Sequence, residues 1–176
     1  FHGAEVDIHP DGELDYDDNI LESLDHVIAS VHQPLTKWRN RDEGENTESL
    51  LTALRHPSVN MLGHPSGRIL QGREGYAYNL QEIIKQISEL RSKGRALAVE
   101  LNSSPYRLDM DWRELIHVRK AKIPVSIAPD AHSVEGLNDA RFGVEIGRKA
   151  WLEPKDVLNC RSITELSEFG FHPKMN

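Results

Sequence analysis

Cysteine, long apolar runs and excess positive charge are all scarce in this chain of 176 residues, and each scarcity excludes a class of protein. The single cysteine, Cys160, excludes an internal disulfide and a thiolate metal site, and it is typical of a cytoplasmic protein in a reducing compartment. Apolar runs of only a few residues are too short for a membrane-spanning helix. The 21 Lys and Arg against 28 Asp and Glu give a net charge of −7, which argues against holding nucleic acid by bulk charge.

The remaining composition is that of one globular domain. Hydrophobic residues make up 38% and charged residues 28%, which excludes disordered and collagen-like chains. The length fits about one domain, so we predict a single domain over residues 1–176. Nine histidines are the first compositional indication of function.

Short apolar segments alternate with longer amphipathic ones. The strand candidates are aliphatic or β-branched and end in polar residues; they are 4–8, 26–31, 59–63, 96–101 and 125–128. The helix candidates carry apolar residues at helical spacing; they are 47–55, 79–93, 111–120, 137–150 and 154–158. This alternation predicts an α/β fold with a parallel sheet, either open or closed into most of a barrel. The polar stretch 33–46 is predicted to be a loop, in which Trp38 either packs or stacks on a base.

Acidic and histidine side chains recur where these strands end. They are Glu5 and Asp7, His32, His64, Glu100 with Asn102, and Asp130 with His132, in strand order. The carboxyl ends of parallel strands line one crevice, so we predict that five of these residues converge there: Glu5, His32, His64, Asp130 and His132. Imidazole and carboxylate donors together suit Zn²⁺, Mn²⁺ or Fe²⁺. A lone strand-end histidine is more often a hydrogen-bonded structural residue, and it is the repetition that favours metal; Asp7 and Glu100 fit either a ligand or a supporting role.

Three arginines follow the same strands, namely Arg68, Arg107 and Arg141. A guanidinium on such a loop suits planar recognition of a phosphate. A surface salt bridge is the alternative interpretation for each of them.

A set of motifs runs in order through almost the whole chain: Glu5-Val6-Asp7-Ile8, Ile28-Ala29-Ser30-Val31-His32, Leu62-Gly63-His64-Pro65-Ser66-Gly67-Arg68, Glu100-Leu101-Asn102, Pro105-Tyr106-Arg107-Leu108-Asp109, Asp130-Ala131-His132-Ser133 and Trp151-Leu152. Together they resemble the PHP (polymerase and histidinol phosphatase) domain, in the form attached to bacterial and archaeal family X DNA polymerases.

The resemblance implies a distorted (β/α)₇ TIM-like barrel with up to three divalent metal ions (Mn, Zn or Fe) at its carboxyl-terminal mouth. It also implies a metal-dependent phosphoesterase, with 3′–5′ exonuclease and end-processing activity on DNA 3′ ends in DNA repair. The implied metal ligands are Glu5, His32, His64, Asp130 and His132, and the implied catalytic residues among them are His64, Asp130 and His132. The implied phosphate-binding or nucleic-acid-binding residues are Arg68, Arg107 and Arg141.

The family pattern begins with a His-x-His motif and further ligands upstream of the position of Glu5, and the present chain lacks those segments. We therefore expect the C-terminal part of a PHP domain, joined to upstream polymerase modules, with a gap in the barrel beside residues 4–8. One alternative function is a small-molecule phosphatase of the histidinol-phosphatase type. Another is a non-catalytic PHP scaffold, which the five retained ligand positions disfavour.

Overall fold

The computed structural model describes residues 1–32 and 35–171, in which strands and helices alternate. The strands are β1 (Gly3–Asp7), β2 (His26–Ser30), β3 (Met61–Leu62), β4 (Ala98–Asn102) and β5 (Val125–Ala128). The helices are α1 (Asp18–Ser23), α2 (Leu35–Arg39), α3 (Glu43–Arg55), α4 (Leu80–Ser92), α5 (Trp112–Lys120), α6 (Ala140–Lys149) and α7 (Ile163–Phe169). Short 3₁₀ turns cover Glu135–Asp139, Pro154–Asp156 and Leu158–Cys160.

The five strands form one parallel sheet in the order β1-β2-β3-β4-β5. The predicted α/β fold with a parallel sheet is therefore confirmed, and within the described residues the sheet is open rather than a closed ring. β1 lies at one edge of this sheet and pairs through its ladder with β2. Because all strands run the same way in sequential order, their carboxyl ends share one edge of the sheet.

The hydrophobic core lies between the sheet and the helices that cover it. All five residues of β4 are buried, as expected for a central parallel strand. Leu50 and Leu54 of α3 and Ile83 and Ile87 of α4 have no exposed surface, which confirms the apolar stripes read from their spacing. These helices cover the sheet behind the edge where the polar side chains lie.

The stretch predicted as a loop before residue 47 instead contains α2 and the first turn of α3. Asp42 caps α3 by accepting a hydrogen bond from Glu45 N at 2.8 Å, and the Glu45 carboxylate accepts one from Asp42 N at 3.1 Å. This reciprocal pair is a capping box, which stabilises a helix start even in a strongly polar segment. Trp38 on α2 is buried, so it is a packing residue, as one of the two interpretations predicted.

No helix within residues 1–32 and 35–171 combines the length and apolar character needed to cross a bilayer.

Candidate metal centre

Glu5, His32 and His64 meet at the carboxyl edge of the sheet. Glu5 lies on β1, His32 follows β2 by two residues, and His64 follows β3 by two residues. Glu5 Oε1 lies 2.9 Å from His64 Nε2 and 3.4 Å from His32 Nε2, and the two imidazole Nε2 atoms are 3.3 Å apart. Three adjacent parallel strands thus bring three donor atoms to one point.

The spacing of these donors suits a small divalent cation. Donors about 2.0–2.1 Å from a tetrahedrally coordinated Zn²⁺ are about 3.3 Å from each other. The three separations, between 2.9 and 3.4 Å, lie around that value. Two imidazoles and one carboxylate also match the mixed N and O preference of Zn²⁺, Mn²⁺ and Fe²⁺. The residues present therefore fit a divalent metal ion.

Neighbouring side chains orient two of the donors. Ser30 Oγ donates a hydrogen bond of 2.8 Å to Glu5 Oε1, and Asp7 Oδ1 forms a short hydrogen bond with His32 Nδ1. The contact with Asp7 leaves Nε2 of His32 facing Glu5 and His64. Asp7, which the sequence placed either as a ligand or as a supporting residue, supports the histidine here.

The charges of the centre favour a cation. The hydrogen bond to Glu5 raises the pKa of His32 to about 8 against the opposing effect of burial, and Asp7 raises it further. Burial alone would raise the pKa of Glu5, but hydrogen bonds with His32 and His64 outweigh it and hold that pKa well below its usual range. A metal ion needs both imidazoles neutral, so metal binding is expected to release a proton from His32.

Glu100 supports the loop that carries His64. Its side chain is buried, and Oε2 accepts a hydrogen bond of 2.6 Å from His64 N. Burial and the charges of Glu5, Asp130 and Asp109 raise the pKa of Glu100 to about 8, against the lowering effect of this hydrogen bond. Gly63 allows the end of β3 to lie close to β2, because an added Cβ would lie 2.9 Å from Ile28 Cγ2 and 3.1 Å from Ser30 Cβ.

Asp130 and His132 lie after β5 and form a second group. Asp130 Oδ2 accepts a hydrogen bond of 3.2 Å from Asn102 Nδ2 and lies 3.4 Å from Arg107 Nε. The His132 side chain is 88% exposed, and its Nδ1 contacts the Asp130 carbonyl at 2.8 Å. Of the five predicted ligands, the structure brings three into one cluster and places these two beside each other outside it.

The three predicted phosphate-binding arginines have different surroundings. Arg68 donates to the carbonyls of Arg107 and Leu108 and pairs with Asp111 at 3.3 Å, so its guanidinium ties two loops together. Arg107 pairs with Asp130 through Nε, while its buried Nη1 has no hydrogen-bond partner among the described residues. Arg141 is exposed on α6, with its guanidinium 4.7 Å from the centroid of the Phe142 ring.

Sequence reasoning assigned no role to Ser30 or Asp109. Asp109 is fully buried and accepts hydrogen bonds from Ser66 N and Ser66 Oγ, at 3.1 and 2.8 Å, which fixes the loop after His64. Burial raises the pKa of Asp109. The position of Ser30, two residues before His32, was the sequence signal that could have indicated its role. For Asp109 the sequence offered no signal beyond its place in the Pro-Tyr-Arg-Leu-Asp motif.

The chain is similar to known phosphoester-processing proteins, although no family model matches it. It is 40% identical over 167 residues to the DNA polymerase/3′-5′ exonuclease PolX of Bacillus subtilis (strain 168), which covers 95% of this chain and 28% of PolX. It is 26% identical over 153 residues to a probable phosphatase of Photobacterium profundum, covering 86% of this chain and 56% of that protein. A probable phosphatase of Clostridium novyi is 32% identical over 107 residues, covering 60% and 38%.

The chain thus spans less than two thirds of the length of each of these relatives. The similarity to PolX covers nearly all of the chain. Together with the motifs, these similarities confirm the resemblance to the PHP (polymerase and histidinol phosphatase) domain, and the chain is similar to a segment of PolX.

Proposed function

We propose that this chain is part of a metal-dependent phosphoesterase, the 3′–5′ exonuclease and DNA end-processing domain of a family X DNA polymerase that acts in DNA repair. The observation that carries the proposal is the Glu5, His32 and His64 cluster, formed at the carboxyl edge of a parallel sheet. The 40% identity to a protein named as a DNA polymerase/3′-5′ exonuclease supports DNA as the substrate. The five-stranded sheet is proposed to be part of a (β/α)₇ barrel.

Glu5, His32 and His64 would hold the metal through one carboxylate and two imidazoles. A bound divalent ion lowers the pKa of a water ligand and neutralises charge on the phosphate. Asp7 and Ser30 keep two of the donors in place through the contacts described above. Asp130 and His132 are proposed as ligands of a further ion, within a total of up to three of Mn, Zn or Fe.

Arg107 is the predicted phosphate-binding residue that the geometry supports best. Its Nε lies 3.4 Å from Asp130, and its side chain is only 14% exposed. Its buried Nη1 has no hydrogen-bond partner among the described residues, so one donor of the guanidinium is left unused beside Asp130. Arg68 is proposed to act indirectly, because its donors already hold the 107–108 backbone.

A second candidate function is hydrolysis of a small phosphomonoester, as in a histidinol phosphatase. The relatives named as probable phosphatases favour it. A non-catalytic PHP scaffold is the third alternative, and the intact donor cluster is the observation against it.

The test uses the natural protein, with whatever residues flank this chain, and the Glu5→Gln variant. Glu5→Gln keeps the shape of the side chain but removes its charge, so we expect loss of bound metal and of nearly all hydrolysis of an oligonucleotide with a recessed 3′ end in Mn²⁺. The matched control is Glu13→Gln, because Glu13 carries an exposed carboxylate outside the cluster. Full metal content and activity in Glu5→Gln would refute the proposal; turnover of histidinol phosphate but not of DNA would select the second candidate.

A further inference from the structure

A short hairpin lies against the segment that carries Arg107. Ile69 and Arg73 exchange backbone hydrogen bonds of 3.0 and 2.9 Å, and Leu70 N donates to Tyr106 O at 2.7 Å. The hairpin is thereby attached to residue 106, directly before Arg107. It places Arg73 on the loop next to the Arg107 segment, outside the metal cluster.

Helix α2 packs against the continuation of the same hairpin. The Trp38 and Tyr76 rings are 5.1 Å apart between centroids, and both side chains are buried. Asn46 Nδ2 donates to Trp38 O at 2.8 Å and to Ala77 O at 3.0 Å, which joins the two segments through one amide. Arg39 follows Trp38 in the chain, so it lies on a segment that packs against the continuation of the Arg73 hairpin.

Arg39, Arg73 and Arg107 thus lie on three segments joined by these contacts, and Arg107 pairs with the carboxylate of Asp130. Among residues 1–32 and 35–171, neither Arg39 nor Arg73 has a carboxylate within 4 Å, and the hydrogen bond found for the Arg73 side chain goes to Gly67 O at 3.3 Å. Burial lowers the pKa of Arg73, and the positive charges of Arg107 and Arg39 lower it further. This mutual repulsion would be relieved by an anion.

We propose that Arg39, Arg73 and Arg107 form a track that binds successive phosphates of a nucleic-acid strand beside the metal centre. The inference rests on the proposed function, which supplies the hydrolytic centre that the strand would reach. Three arginines on separate segments suit a sugar–phosphate backbone, which presents one charge per nucleotide.

A cleft beside Arg107 has room for the end of such a strand. Its volume is about 500 Å³, and its lining includes Tyr106, Asp130 and His132. Tyr106 is 72% exposed and offers a flat ring on which a base can stack. Tyr106 thus gives the proposed track an aromatic surface directly next to Arg107 in the chain.

The first measurement is binding of a fluorescent single-stranded oligonucleotide to the natural protein in EDTA, followed by anisotropy over a range of salt. Arg73→Ala and Arg39→Ala should each weaken binding roughly threefold to tenfold at low salt, and each should make the salt slope shallower by about 0.7. Arg73→Lys should recover much of the loss, because it restores the charge. Arg148→Ala, which removes an exposed arginine of α6, is the control for net charge.

The second measurement is the ratio of kcat/KM for an oligonucleotide to kcat/KM for p-nitrophenyl phosphate in Mn²⁺. Arg73→Ala and Arg39→Ala should lower this ratio mainly through a higher KM for the oligonucleotide. If both variants match Arg148→Ala in binding, salt slope and ratio, the track is wrong even if the enzyme hydrolyses both substrates. If neither substrate is hydrolysed but binding still depends on Arg73, the track stands and the proposed function fails.

Discussion

His32 shows how one histidine is prepared for a metal by its neighbours. Its Nδ1 is held by Asp7, and its Nε2 faces Glu5 and His64. A hydrogen-bonded carboxylate on the far nitrogen fixes the tautomer and ring orientation, which makes the other nitrogen a better ligand. Asp7 thus affects the centre without contributing a ligand atom to the three-residue cluster.

Asp7→Asn should weaken metal binding roughly tenfold, because the charge that polarises His32 is removed. The same change should lower the pKa of His32 from about 8, since Asp7 contributes to raising it. The measurements are a Zn²⁺ titration against a chromophoric chelator and an NMR pH titration of the histidine. Asp15→Asn is the matched control, because Asp15 pairs with His9 at 3.1 Å in an exposed contact. Unchanged affinity and pKa in Asp7→Asn would contradict the orienting role.

His26 gives a pH dependence that is independent of the centre. Its ring packs edge-on against Phe171 at 4.9 Å, and its buried Nδ1 has no hydrogen-bond partner among the described residues. Burial lowers the pKa of His26 from its usual value of 6.5. The unfolded chain therefore takes up this proton at a higher pH than the folded chain, so the free energy of unfolding decreases as the pH falls below about 6.5.

We expect His26→Phe to lose this part of the acid sensitivity, which amounts to at most about 1.4 kcal/mol per pH unit. The measurement is urea unfolding at pH 7.5, 6.5 and 5.5 in the presence of a chelator. His117→Phe, at an exposed position of α5, should keep the pH dependence of the original protein. The same acid dependence in both variants would show that His26 makes no such contribution.

At the scale of elements, α6 packs closely against the ends of β4 and β5 at a glycine. A Cβ at Gly143 would overlap Ile127 Cγ2 and lie 2.7 Å from Ser103 Cβ. Ile127 belongs to β5, and Ser103 follows β4 directly. The helix approaches the sheet next to Asn102 and Asp130 because this position lacks a side chain.

Gly143→Ala should lower the free energy of unfolding by about 1–3 kcal/mol, because α6 has to move away from the sheet. Gly147→Ala on the same helix is the matched control, since its added Cβ would lie 3.4 Å from Leu152 Cδ1, an ordinary contact. That change should be neutral or stabilise by up to about 1 kcal/mol, through the higher helix propensity of alanine. Chemical unfolding of both variants distinguishes these outcomes, and equal effects would contradict the close packing of α6.

At the scale of the whole molecule, the metal centre joins an edge strand to the rest of the sheet. Glu5 lies on β1, whereas His32 and His64 follow β2 and β3. A cation held by all three would connect these strands through a second set of bonds in addition to the backbone ladder. Metal binding is therefore coupled to folding stability.

We expect a divalent cation to raise the melting temperature of the original protein and EDTA to reverse the increase. At a free ion concentration 100 times the Kd, the stabilisation is about 2.7 kcal/mol. Glu5→Gln should respond much less, and Glu13→Gln should respond fully, in thermal unfolding with and without Mn²⁺ or Zn²⁺. An equal shift in both variants would show that the ion binds elsewhere.

The net charge of −7 describes the whole chain but not the surface beside the centre. Charges in solution are screened over about 8–10 Å, so a nearby phosphate responds to the local group of Arg39, Arg73 and Arg107 more than to distant carboxylates. A chain of net negative charge can therefore carry a local phosphate track.

The sequence by itself determined the parallel α/β fold and the residues at the carboxyl ends of the strands. Both follow from local pattern: short aliphatic runs separated by helical periodicity predict parallel strands, and the residue after each run lies at their common edge. The apolar stripes of α4 and α5, and their ends near residues 93 and 120, followed from the same kind of pattern. Glu5, His32 and His64 were accessible in this way because each is adjacent to a recognisable strand.

Only the tertiary structure decided which of the strand-end groups share one point. Asp7 contacts His32, and Glu100 accepts a hydrogen bond from the backbone N–H of His64. Asp130 and His132 lie outside the three-residue cluster. The same holds for Arg68, which joins two loops, and for the segments of Arg39 and Arg73, which are brought together by packing of Trp38 on Tyr76. These distances depend on strand register and on how separate loops pack, and neither is encoded in the residues that flank each position.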